Sequence, residues 1–490
     1  MSATKQIAEF VAGNRGPLPE TARTAGLRVL RDTIACAAAA TRTDLGAVVE
    51  RLLEAQGSES GSARVIGTGQ RTSSLMAAYA NGRLANVLDF DETYMMLGHH
   101  SHSALAATLA LAAERDLDGA QALEAFVVGY EVGARVGRFV GDPLASDPAT
   151  GTANWTFPGS PLATYAACAA AAVALGLNAD EVMNAFGICA QYLPSDVNVW
   201  DDTGSVGAGM HSLKYEDNGW TAHTGLMAAL VAAEGVTASK RMFDDPEGVA
   251  RKVRPDSSPS AKHLLGGLGE TWAIERTSLK PWPSCRWFHY PLTALAAVLR
   301  DHEIGPHEIE AVELQSVRNC IIFASAEIGE SLLVDAQFSL PHSVAMLALG
   351  IEPGLAWFDP AVVHGAAASQ LRRKVTVALH PEADDLSAWG HADEVRVPSR
   401  AIVHARGEVY QAEADRALGD PALPTDPPGG VDVDAKFDRL LCSLLPTSVA
   451  WRDNVVRLRE RLAEFDELGS VDEVLAATCP RTAARASEVV

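Results

Sequence analysis

Residues Asn81–Ser103 read NGRLANVLDFDETYMMLGHHSHS and set acids, a hydroxyl and imidazoles in close succession. Asp89, Asp91, Glu92 and Thr93 come first, and His99, His100 and His102 follow just after Gly98. Groups so close together share hydrogen bonds and shift one another's protonation, which is what acid/base chemistry requires. The spacing predicts a helix over 75–97 that places Asp89 and Thr93 four apart on one face, with Gly98 breaking it. The plain alternative is a helix end decorated with acids beside a surface cluster of histidines.

The same residues invite a metal reading. His99, His100 and His102 lack the four-residue separation that sets two ligands on one helical face, and no Cys pair accompanies them. Asp89, Asp91 and Glu92 have no phosphate-cradling glycine loop nearby to suggest magnesium. The expectation is a site with no metal and no cofactor.

Three further segments carry candidate groups. Gly207–Gly225 (GAGMHSLKYEDNGWTAHTG) sets Lys214 before an apolar helix, where it can anchor a carboxylate or remain a solvated lysine. Lys280–Pro291 (KPWPSCRWFHYP) places Lys280, Cys285, Arg286 and His289 in a Pro- and Trp-rich loop. Arg286 suits bidentate carboxylate binding, whereas Cys285 has no evident base and reads as a packed thiol. Ala336–Gly350 (AQFSLPHSVAMLALG) has a strand-like start, a Pro and an apolar helix, and reads as structural.

The elements that must position these groups are mostly helical. Thr21–Ala40 has Leu27, Leu30 and Ile34 at helical spacing. Residues 103–114, 120–139, 162–175, 180–192 and 220–235 read likewise, several of them dense in Ala, which lets backbones approach closely. After about residue 268 the character changes. Ala311–Val317, Lys374–Leu379 and Ala401–Ala405 read as strands, with helical stretches at 290–300 and 341–349 between them. Gly419–Asp434 is linker-like, and helices resume after Lys436. The expected fold is mainly α. A large all-helical domain (1–268 plus 435–490) carries an inserted α+β domain (269–434) that includes the Pro/Gly-rich linker.

Composition narrows the function classes. The chain has 490 residues, 48% of them hydrophobic but only 6% aromatic, so Ala, Leu and Val carry the core. A net charge of -22 argues against nucleic acid and against anionic membrane surfaces. The Ala-rich run at 162–177 reads as a buried helix, not a membrane span. Seven cysteines without a CxxC pair, and a start without a leader-like pattern, suggest a cytoplasmic protein.

Taken in order along the chain, these segments resemble the MmgE/PrpD family of dehydratases, decarboxylases and epimerases. The matching pieces are IAEFVAG, LRDTIACAAAA, ARVIGTG, ANGRLANVLDFDET, AAAAVALGL, the Lys214 segment, KPWPSCRWFH and AQFSLPHSVAMLALG. The resemblance implies a helical domain with an α+β lid, a homodimer, no metal, and a site between the two parts. It implies Asp89 and Thr93 as site residues from a DFDDT-like motif in which Glu92 replaces an Asp. It puts the following histidine at His100, with His99 and His102 as other registers. Lys214, Lys280 and His289 match the family's lysines and lid histidine, and Cys285 falls where decarboxylases carry a histidine. Phe157 stands where members usually have a histidine, and Phe323 falls near a lid tyrosine. Neither ring can act as acid or base.

The reaction implied is a metal-independent lyase step, dehydration or decarboxylation, beside a carboxylate or carbonyl of a small carboxylic acid. On that scheme His100 is the acid/base oriented by Asp89, and Lys214 binds a carboxylate or protonates the intermediate. Thr93 hydrogen-bonds substrate, while Lys280 and Arg286 supply positive charge. An isomerase or epimerase that removes and returns one proton is the second reading. A site repurposed for binding or shaping a larger intermediate is the third, kept open by Phe157.

Overall fold

The computed structural model describes the chain apart from residues 1, 14–16, 57–60, 95–97, 141–158, 194–211, 246, 254–258, 326, 330–331, 384–389, 392–393, 422–430 and 481–490, and the side chains of 159–160, 213–217, 390–391 and 394–395. The first part is helical: α1 (Ala3–Val11), α2 (Glu20–Ala40), α3 (Asp44–Ala55), α4 (Ser74–Asn86), α5 (Ser101–Ala112), α6 (Gly119–Val140), α7 (Gly159–Leu175), α8 (Ala179–Gln191) and α9 (Leu213–Ala233). Short helices α10 (Val249–Val253) and α11 (Ala261–Leu265) follow. A small hairpin, β1 (Ala63–Arg64) with β2 (Arg71–Thr72), precedes α4.

Polar residues start these helices by accepting orphan backbone N–H groups. Thr43 accepts from Gly46 at α3, Ser73 from Met76 at α4, and Asn178 with Glu181 forms a capping box at α8. Helix α7 lies at the centre, against α5, α6 and α9. Its run Ala166–Ala172 is fully buried, and small side chains make that close packing possible. Gly133 of α6 shows how close: a Cβ there would lie 2.7 Å from Ala166 Cβ, 2.8 Å from the Leu162 carbonyl and 2.9 Å from His100 Cδ2.

The middle of the chain holds a four-stranded sheet in the order β10-β9-β5-β6: β5 (Ile309–Ser316), β6 (Val375–Leu379), β9 (Ser399–Ala405) and β10 (Glu408–Ala414). Strands β5 and β6 are parallel, and the other pairings are antiparallel. Strand β9 alternates buried and half-buried residues, the period-2 pattern of a sheet with one covered face. The β9–β10 hairpin turns on Arg406 (φ 57°) and Gly407 (φ 71°), the left-handed pair that a two-residue loop needs. Helix α12 (His289–Asp301) packs on β9 and β10. Helices α13 (Arg318–Ile322), α14 (Leu332–Gln337), α15 (Leu340–Ala348), α16 (Pro360–Val363) and α17 (Ala366–Arg372) fill the crossover, and a two-residue pair, β7 (Gly390–His391) with β8 (Glu394–Val395), follows β6. The chain closes with α18 (Val433–Cys442), α19 (Val449–Ala463) and α20 (Val471–Ala477), of which α18 and α19 pack against α2.

The architecture is mainly α, as expected, with local departures. The helix expected over 75–97 ends at Asn86. The strand-like start at Ala336 belongs to α14, because Ser339 caps a new helix by accepting from His342. Helix α18 begins at Val433, where the Asp432 side chain caps it, so Lys436 sits inside it. Helix α9 begins at Leu213, so Lys214 lies in its first turn and not ahead of it. Among the described residues no helix is long and apolar enough to cross a membrane.

Candidate active site

Helix α4 stops because its last residues turn to other partners. The Asp89 N–H donates to the Asn86 carbonyl at 2.8 Å, and Asp89 takes a left-handed backbone (φ 48°), which Asp tolerates and a continuing helix does not. Asn86 Nδ2 donates to Asp91 Oδ1 at 2.6 Å, locking the loop onto the helix end. The chain then forms β3 (Thr93–Tyr94), antiparallel to β4 (Thr277–Ser278), with Thr93 opposite Ser278. This two-residue ladder joins the acidic motif to the segment that leads into Lys280. Asp89 and Thr93 are thus brought to one place by a loop, not by a shared helical face.

Asp89 and Lys280 form a buried pair. Lys280 Nζ lies 3.0 Å from Asp89 Oδ1 and donates to the Asp89 carbonyl at 2.9 Å. His99 bridges the two aspartates: Nε2 is 3.7 Å from Asp89 Oδ1, and Nδ1 is 3.4 Å from Asp91 Oδ2. The His99 side chain is 13% exposed, whereas those of Asp89, Asp91 and Lys280 are 2% or less, so the imidazole is the member that reaches toward solvent. Burial pushes the Asp91 carboxyl up, but His99, Lys280 and His102 outweigh it and hold the group below its ordinary value. The Thr93 hydroxyl is buried and has no hydrogen-bond partner among the described residues.

His100 faces elsewhere. It stands at the N-terminus of α5 and sends its ring into the bundle, where it stacks at 3.9 Å between centroids on Tyr130. Its Nε2 meets the Tyr130 carbonyl at 3.0 Å, so that nitrogen carries the proton. Desolvation pushes the imidazole down to about 3. Glu92 explains this placement. Its Oε1 accepts the His100 and Ser101 N–H groups at 3.0 and 2.8 Å, capping α5 with a carboxylate, and Tyr130 Oη donates to Oε2 at 3.0 Å. Thr277 of β4 donates to Tyr130 Oη at 2.7 Å. His102 is buried on α5, with Nδ1 2.8 Å from Ser103 Oγ.

Other candidates are spread around this centre. Arg286 binds Asp420, which also accepts from Ser278 Oγ at 2.7 Å, while Arg286 Nε and Nη1 have no hydrogen-bond partner among the described residues. Cys285 is buried, with its N–H on the Gln337 carbonyl at 3.1 Å. His289 is buried beside Ser284, and desolvation, then Arg286 and Lys280, push its imidazole well below its ordinary value. Lys214 lies on α9 four residues before Asn218, whose Nδ2 donates to Asn86 Oδ1 at 2.8 Å. Phe157 lies outside the described residues. The described residues show no group of three or more His, Cys, Asp or Glu arranged to hold a metal ion.

Several contributors have no local signature. Asn86 and Asn218 tie α4 and α9 to Asp91, Gln337 Nε2 donates to the Val87 carbonyl at 2.9 Å, and Lys436 meets the Phe90 carbonyl at 2.5 Å. Only the polar character of Asn86 within an otherwise buried helix end hinted at such a role. The arrangement offers a fixed ammonium, two buried carboxylates, an orphan hydroxyl and a partly exposed imidazole. Such a set can hold an anion and move a proton beside it.

The MmgE/PrpD N-terminal domain matches residues 5–262, and the MmgE/PrpD C-terminal domain matches residues 282–460. A cis-aconitate decarboxylase of Aspergillus terreus (strain NIH 2624 / FGSC A1156) is 25% identical over 281 residues, 54% of this chain and 52% of that protein. A cis-aconitate decarboxylase-like protein of Aspergillus oryzae (strain ATCC 42149 / RIB 40) is 27% identical over 283 residues, 54% of each chain. The matches span about half the length of these curated relatives. With family domains covering both its helical first part and its sheet-bearing second part, the chain belongs to the MmgE/PrpD family.

Proposed function

We propose that this protein is a lyase that breaks a bond at the carbon next to a carboxylate of a small organic acid, releasing water or carbon dioxide. The observation that carries the reading is the buried Asp89–Lys280 pair with His99 reaching across Asp89 and Asp91. Family membership and relatives named as cis-aconitate decarboxylases support the same class.

In this reading His99 is the acid/base. One ring nitrogen faces each carboxylate without a hydrogen bond to it, and the ring is exposed enough to meet substrate. His100 is a structural residue, because its ring is committed to Tyr130. Lys280 stabilises the enolate-like charge that develops when the proton next to the carboxylate is removed, before hydroxide leaves, or when carbon dioxide leaves. Thr93 hydrogen-bonds substrate through its orphan hydroxyl. Lys214, one turn before Asn218 on α9, binds a carboxylate. Residues 269–434 act as a lid that contributes Lys280 and Arg286 to the site and excludes water from it. The working form is a homodimer.

The experiment is proton NMR of the purified protein with cis-aconitate, 2-methylcitrate and related acids in deuterium oxide. Loss of a substrate with appearance of a decarboxylated or dehydrated product supports the reading. Deuterium uptake with no net loss of water or carbon dioxide replaces it with the isomerase reading, and no change with any acid overturns it.

A further inference from the structure

Lys436 lies on α18, 346 residues from Phe90 of the acidic motif in sequence, and is buried beneath it. Its ammonium meets three oxygens. It donates to the Phe90 carbonyl at 2.5 Å and to the Lys280 carbonyl at 3.1 Å, and it pairs with Asp32 Oδ1 of α2 at 2.7 Å. It also sits 3.9 Å over the Phe90 ring. The two carbonyls take the ammonium's hydrogen bonds, while Asp32 Oδ1 stands at ion-pair distance without hydrogen-bond geometry and supplies charge. Phe90 directly follows Asp89, and the Lys280 carbonyl belongs to the lysine that pairs with Asp89.

We infer that Lys436 is a positioning residue: one buried ammonium clamps the backbones on both sides of the Asp89–Lys280 pair and so sets that pair's geometry. Asp32 balances the buried charge, because an ammonium enclosed without a counter-ion is strongly unfavourable. The clamp joins four parts of the chain: α2, the motif loop, the Lys280 segment and α18. It gives the C-terminal helices a role beyond completing the bundle. The consequence for turnover rests on the lyase reading, but the consequence for backbone order does not.

The test compares four full-length proteins: wild type, Asp32→Asn, Lys436→Arg and the double variant Asp32→Asn/Lys436→Met. The double variant removes both charges together, so it avoids an unpaired buried carboxylate. Backbone amide hydrogen exchange is followed by mass spectrometry. Two amides report on the clamped segments: Asp89, donating to Asn86, and Leu279, donating to Gly419. The expectation is about tenfold faster exchange at residues 88–94 and 278–282 in the double variant, with exchange in α6 and α7 unchanged. Asp32→Asn removes the counter-ion but keeps both carbonyl contacts, so it lowers global stability while exchange at these two segments rises no more than in α6 and α7. Lys436→Arg, which keeps the charge and donors, restores protection in part and serves as the second variant if the double fails to fold. Equal exchange in Asp32→Asn and the double variant overturns the inference, as does a Lys436→Arg protein no better protected than an unclamped one. If an accepted acid is in hand, kcat falls about tenfold in the double variant while KM moves little. Failure of every acid to react, with the exchange result intact, removes the lyase reading and leaves the clamp standing.

Discussion

Lys280 Nζ holds both the Oδ1 and the main-chain carbonyl of Asp89, at 3.0 and 2.9 Å, with both side chains out of solvent. The pair joins the left-handed turn after α4 to the segment leading from β4. Removing one partner leaves a buried charge without its counter-ion. Asp89→Asn or Lys280→Met is therefore expected to lose about 3–5 kcal/mol of stability in urea unfolding. Asp89→Asn/Lys280→Met should recover most of that stability while remaining inactive. A double variant as unstable as the worse single one contradicts this.

Glu92 reaches the first N–H groups of α5 and the Tyr130 hydroxyl together. Glu92→Asp shortens the side chain by one methylene and cannot keep all three contacts. The expected loss is about 1.5–3 kcal/mol in denaturant unfolding, since these are hydrogen bonds to a charged acceptor. Glu92→Gln keeps the reach and should lose less.

His100 gives the protein an acid-sensitive point. Burial holds its imidazole down to about 3, against an ordinary value near 6.5. The unfolded chain binds the proton more readily, so the stability from His100 is fully present above about pH 6.5 and drains as pH falls toward 3. Over pH 6.5 to 5 the loss amounts to about 2 kcal/mol at 1.36 kcal/mol per unit. His100→Gln should flatten the pH dependence of the unfolding free energy by that amount in this window, and an unchanged slope contradicts it.

Gly133→Ala places a methyl within 3 Å of Ala166, the Leu162 carbonyl and His100. Two of those contacts are with helix α7, which cannot give way cheaply. The expected cost is about 1–3 kcal/mol, read as a lowered thermal midpoint.

Much of this site was legible because its residues are local in sequence. Asp89, Asp91 and Thr93 share one short motif, and Lys280 opens a distinctive Pro/Trp loop. The end of α4 was not legible, because Leu84, Val87 and Leu88 continue the apolar pattern. Only the Asn86–Asp91 contact and the turn at Asp89 stop the helix. The directions in which the neighbouring histidines point were not legible either. His99 and His100 are neighbours, and what separates them is Glu92 capping α5 at His100, which turns that ring inward and leaves His99 on the loop. Lys436 and Asp32 gave no signal because their partners lie hundreds of residues away, and a lone lysine or aspartate in a helix reads as a solvated charge. The four-stranded sheet was partly legible: β5, β6 and β9 alternate or are β-branched, whereas the short β3–β4 ladder has no pattern long enough to detect.

In the proposed reaction His99, not His100, moves the proton. The most direct test is the turnover of His99→Gln and His100→Gln measured side by side by NMR with the acid that wild type converts. The expected result is that His99→Gln loses at least about 100-fold in kcat, while His100→Gln stays within several-fold of wild type when assayed near neutral pH. The reverse order, with His99→Gln active and folded His100→Gln dead, would contradict it.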